Sequence, residues 1–166
     1  MPTPVPELIA LEIVSRLELI TVANGYAFNV PQVVRPNRKG DNWERKHLSI
    51  GVLQGESERV PELDCPGNPP ALCYRVVFNL ECVCKDSEID SPDAAHATNE
   101  NEIAAAVVKA ITDDGATWYT MNGNAIDSEI GTHTPFSSPE GEANGVQIPI
   151  SVMYRVSEND PFQVRA

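Results

Sequence analysis

The chain has 166 residues, of which 42% are hydrophobic, and a formal net charge of -12. That length suits one domain able to bury about 68–70% of its unfolded surface, and that hydrophobic fraction excludes a disordered chain. A negative field of this size repels phosphate, which argues against general nucleic-acid binding while letting DNA pass a surface without sticking.

No apolar run approaches the roughly 20 residues that cross a bilayer as a helix, so no membrane partner is expected. Met1 to Leu8 holds three prolines and neither Lys nor Arg, unlike a signal peptide. The expectation is a protein that stays where it is made, or in a particle assembled there.

Leu8 to Val22 reads as an amphipathic helix, with Ile9, Ile13, Leu17 and Ile20 along one stripe. Leu11, Val14 and Leu19 widen the stripe, and Glu12 and Arg16 form an i, i+4 pair on the polar side. Pro4 and Pro6 suit the helix start, and Asn24-Gly25 suits its stop.

Phe28 to Arg35 reads as a strand with an edge or bulge at Pro31. A basic loop follows over residues 35–46, and His47 to Gln54 then alternates with Leu48, Ile50 and Val52 on one face. Together these predict an extended hairpin around a long loop. That loop carries Arg35, Arg38, Lys39, Arg45 and Lys46, five of the twelve cations in the chain, against Asp41 and Glu44. The plain reading is a solvated loop; the sharper one is an arm that meets an acidic surface on a neighbouring copy.

Residues 55–70 form a Pro-rich connection, expected like the basic loop to reach outward. Leu72 to Cys84 is the clearest strand, with Leu72, Tyr74, Val76, Phe78, Leu80, Cys82 and Cys84 on one face and Arg75, Asn79 and Glu81 on the other. Residues 85–99 read as an acidic linker. Ile103 to Ile111 reads as a second helix, with Asn99 and Glu102 as a capping box and Asp113-Asp114-Gly115 as its end. One or two short strands are expected within Thr117 to Ile130, and Gly131 to Gly145 reads as a loop. Val146 to Val156 closes the chain as a one-sided strand, placed at a sheet edge by Pro149.

These elements predict an α+β domain spanning 1–166. Its mainly antiparallel sheet has about four to six strands, and two amphipathic helices pack on one face. Val76, Phe78 and Leu80 are expected at the core, beneath Ile13, Leu17 and Val107.

Catalytic patterns are missing from the sequence, so no enzymatic activity is expected. His47, His96 and His133 share no ligand spacing, and phosphate loops, nucleophile elbows and H-E-x-x-H are absent. Asp86, Glu88, Asp90 and Asp93 imitate the start of a calcium loop, but Ser91 stands where Gly is needed and Ala97 where Glu is needed. Asp113 and Asp114 read as turn residues rather than a catalytic pair. Cys65, Cys73, Cys82 and Cys84 lack the C-x2-C zinc spacing and read as buried thiols, with a zinc site as the alternative. No cofactor or metal is expected.

The layout resembles the tail terminator, or tail completion, proteins of long-tailed bacteriophages. The resemblance rests on the opening helix with its Gly25-Tyr26 exit and the strands flanking the basic loop. It continues through the strand Leu72 to Cys84, the helix Ile103 to Ile111 before an acidic Gly turn, and the last strand. That strand ends Val152-Met153-Tyr154-Arg155-Val156, with Asp160-Pro161 beyond. The Cys-bearing loop from Pro61 to Cys73 departs from the pattern. The resemblance implies a structural virion protein, assembled in the host cytoplasm, that forms a hexameric ring at the neck-proximal end of the tail. Its implied partners are its own copies, the tail tube protein, a head-side neck or connector protein and, in a contractile tail, the sheath protein. DNA would pass through without specific binding. The alternatives are another neck or adaptor protein and a small-ligand binding module.

Overall fold

The computed structural model describes residues 2–36, 48–84, 92–137 and 144–165. Helix α1 spans Val5–Leu17, with Pro4 at its N-cap and Glu7 in its first turn. It ends earlier than its apolar stripe. The last turn tightens, with Leu19 N–H on the Arg16 carbonyl and Ile20 N–H on the Leu17 carbonyl. Ile20 still reaches the core, fully buried, while Leu11 and Leu19 are exposed and so do not widen the buried face.

Strand β1 is only Gln32–Val34, shorter than the alternation from Phe28 suggests. It pairs in parallel with β2 (Ser49–Arg59), so the two do not form the expected hairpin. The hairpin lies one step later, between β2 and β3 (Ala71–Cys84). Strand β2 continues through what reads as the start of the Pro-rich connection, with a bulge between Gln54 and Ser57. At that bulge a side chain on Gly55 would stand 3.0 Å from the Val77 carbonyl oxygen.

Helix α2 runs Pro92–Thr112. Residues 92–99 are therefore helical, and Asn99 lies within the helix instead of capping it; residues 85–91 fall outside the described ones. Gly115, at φ 68, turns the chain out of the helix end. The remaining strands are β4 (Asp127–Ile130), β5 (Thr134–Ser137), β6 (Asn144–Ser157) and β7 (Asp160–Val164). Strand β5 interrupts the predicted loop, and β7 follows a tight return that Asp160-Pro161 disguises.

The sheet is mixed and has seven strands, in the order β1-β2-β3-β6-β4, with β5 and β7 also on β6. Strands β3 and β6 pair without a break from Ala71↔Ser157 to Cys84↔Asn144. Pro149 is thus central, not at an edge. Its carbonyl accepts from Gly131 N–H, so its main chain faces the corner where the ladder passes from β4 to β5. The donor it lacks is the one that would answer Gly131, one residue past the end of β4, so the single bond lost falls where that short strand stops.

One core cluster joins both helices to one sheet face. Ile13, Leu17, Val76, Phe78, Leu80 and Val107 are all fully buried in it, as the periodicity predicts. Val146, Ile148, Ile150, Val152, Tyr154 and Val156 extend it along β6.

Candidate interaction surface

Arg35 is held against the body of the molecule. Its guanidinium donates to Glu7 Oε2 at 3.0 Å and to Gln54 Oε1 at 2.8 Å. It also donates to the Val52 carbonyl at 3.3 Å. The end of β1 is thereby tied to α1 and β2, and Arg35 fixes where the basic segment departs. Arg38, Lys39, Arg45 and Lys46 lie outside the described residues.

The sheet face away from the helices carries rows of polar side chains. Glu58 stands opposite Arg75, Arg75 opposite Met153, and Met153 opposite Asp127. The next row holds Val77, Ser151 and Glu129. Glu58, Arg75, Asp127 and Glu129 are exposed. Among the described residues none of them forms an ion pair. Arg75 instead reaches Met153 Sδ at 3.9 Å. A hollow of about 260 Å³ opens here, lined by Arg75, Asp127, Ser128, Glu129, Ser151 and Met153. Its charge is mixed with a negative excess, and its mainly polar lining differs from the largely apolar lining of small-ligand sites.

The Pro-rich connection does not reach outward. Cys65 and Ala71 exchange main-chain bonds at 2.9 and 3.0 Å, and Arg59 pairs with Asp64 at 2.7 Å. Asp64 also accepts the Cys73 N–H at 2.8 Å. That main-chain bond, with Arg59 second, holds the Asp64 carboxyl below its ordinary range. Arg155 Nε closes the fold-back on the Leu63 carbonyl at 3.1 Å.

All four cysteines are free thiols, three of them buried. Burial pushes Cys84 up to about 12 and Cys82 higher still, so both stay protonated and serve as small apolar groups. Among the described residues no group of His, Cys, Asp and Glu is arranged to hold a metal ion. The calcium-like run falls outside them up to Ser91.

No family model matches the sequence, and no curated protein matches it either.

The main contact that sequence reasoning missed joins the two helices. Arg16 is buried, with its guanidinium on Glu12 at 2.8 Å and on both Asp114 oxygens at 2.8 and 2.7 Å. Its remaining contact is the Ile111 carbonyl at the end of α2, at 2.8 Å. Glu12 and Arg16 thus pair as predicted, but in a helix–helix joint and not on a solvated face. Asp114, read as a turn residue, closes that joint. Thr117 Oγ1 also donates to Asp114. The acidic edge formed by Asp127 and Glu129 was missed as well, because its alternation extends over only four residues.

Proposed function

We propose that this chain is a structural ring subunit of the tail-terminator class, capping a bacteriophage tail tube as a hexamer and presenting a docking surface to the head-side connector. The observation that carries this reading is the second face of the sheet, on which neither helix packs and which short strands frame at both ends. Both helices cover one face, and on the other the two long central strands carry mostly half-buried polar side chains around the exposed Arg75. A surface of that kind suits contact between subunits more than chemistry. The element order supports the reading too: helix, edge strand, basic segment, long hairpin, helix and long closing strand. The net charge of -12 suits a pore through which DNA slides without being held.

A ring follows from a head-to-tail contact whose rotation closes, and such a ring can stop a tube of matching symmetry because no further tube ring stacks on its far side. The test is to mix purified protein with isolated tail tubes and image the tubes by negative-stain electron microscopy. One six-fold cap at a single end of each tube is expected. Uniform decoration of the tube wall, or no binding, would count against the proposal.

A further inference from the structure

Cations in this acidic protein are unevenly partnered. Among the described residues Arg16, Arg35 and Arg59 pair with carboxylates, and Lys109 lies over the Tyr26 ring, 4.5 Å from its centre. Arg75, Arg155 and Arg165 form no ion pair among them, and strand register brings these three together on the sheet face away from the helices. Arg75 stands opposite Met153, and its neighbour Cys73 stands opposite Arg155. Val164 aligns with Val156 and packs against the core, and Arg165 N–H donates to the Arg155 carbonyl at 3.0 Å. Alternation therefore turns Arg165 to the other face, directly across from Arg155. Side chains directly opposite have Cβ atoms about 4.5–5.5 Å apart, and diagonal neighbours such as Arg75 and Arg155 lie within about 7–8 Å, in reach of long side chains.

Like charges set opposite each other destabilise a pair of strands, and little in the fold offsets this here. Arg155 donates from Nε to the Leu63 carbonyl at 3.1 Å, which leaves its two terminal nitrogens outside that bond. Arg75 reaches only Met153 Sδ, at 3.9 Å. Arg165 Nε is enclosed without a hydrogen-bond partner. Asp64 feels the charge of Arg155 but is engaged by Arg59 and the Cys73 N–H. A carboxylate fits a guanidinium fork through two bonds, and arginine clusters recur where proteins recognise acidic motifs. Glu58, Asp127 and Glu129 flank the patch, exposed and, among the described residues, without an ion pair. They would repel a long polyanion such as a nucleic-acid backbone and leave room for a short acidic segment. At physiological salt, charges farther apart than about 8 Å are largely screened, so the net charge of -12 does not prevent a local contact. We infer that Arg75, Arg155 and Arg165 form a docking site for an acidic segment of a partner protein, with its carboxylates seated on the three guanidinium groups. The inference rests on the reading of this face as a docking surface.

Fluorescence anisotropy with a dye-labelled octaglutamate peptide at physiological salt tests it. Octaglutamine, a single-stranded DNA of equal charge and inorganic phosphate serve as the other probes. Saturable binding of octaglutamate is expected, and none of octaglutamine. The Arg155→Gln, Arg165→Gln double variant should bind the acidic peptide at least about tenfold more weakly. Its urea midpoint should equal or exceed the parent's, because two facing like charges are gone. The Arg155→Lys, Arg165→Lys variant keeps the charge without the fork and should recover only part of the binding. No binding of octaglutamate, or binding that the glutamine variant leaves unchanged, overturns the inference. A lowered urea midpoint in that variant would mark the arginines as structural and overturn it too. So would DNA or phosphate held as tightly as the peptide, which would make the patch a general phosphate site. Peptide binding by a protein that caps no tubes would refute the ring reading and leave the site standing. Capping by a glutamine variant that no longer binds the peptide would refute the docking role of the site and leave the ring reading standing.

Discussion

Arg16 shows how far a residue's role depends on its partners. A guanidinium that is only 7% exposed is tolerable because carboxylates and a helix-end carbonyl surround it. The hydrogen bonds from Arg16 hold the Asp114 carboxyl below its ordinary value. A depressed folded value means that Asp114 contributes stability above its unfolded value, about 3.9, and loses it as pH falls through the folded value. Asp114 is itself 45% exposed, so solvent screening limits the gain. The expected outcome is that Asp114→Asn lowers the urea midpoint near neutral pH, and that the gap to the parent closes in strong acid. A gap independent of pH would contradict this role. The Glu12–Arg16 half of the joint was legible at i, i+4 spacing. Asp114 lies 98 residues from Arg16, beyond any local pattern.

Among the elements, the long one-sided strands were the most legible. Strands β3 and β6 each hold 14 residues with buried and accessible positions nearly alternating, so their faces could be read from the sequence. What stayed hidden was pairing. Parallel β1 and β2 differ from a hairpin only in direction, which periodicity does not encode. Pro149 argues for an edge unless one knows that its main chain meets the gap between two short strands. The start of α2 hid in a polar, acidic stretch because Ala94, Ala95 and Ala97 favour a helix without marking an apolar face. The β3–β6 ladder also makes a sharp demand at one point. A side chain on Gly145 would stand 2.0 Å from the Cys82 carbonyl oxygen and 3.0 Å from the Phe136 ring. The clash is with the main chain and cannot be relieved by a rotamer. Gly145→Ala is expected to cost about 3 kcal/mol or more in urea unfolding, at the upper end of overpacking effects. A stability equal to the parent's would mean that the two strands do not pair this closely.

At the scale of the whole molecule, the cations between Arg35 and Lys46 stood out in an acidic sequence. The acidic sheet end became visible only with the fold, because Asp127 and Glu129 owe their position to pairing with β6. The helices pack on one face of the sheet, and the strands at its two ends are short, which limits indiscriminate pairing. These features together support a subunit whose work is assembly. The central claim is that this assembly ends a tail tube. Its most direct test is to delete the gene from the assembling phage and measure the distribution of tail lengths by electron microscopy. The account predicts tails of uncontrolled or excessive length that fail to join heads, corrected when the protein is supplied in trans. Tails of normal length joined to heads would contradict it.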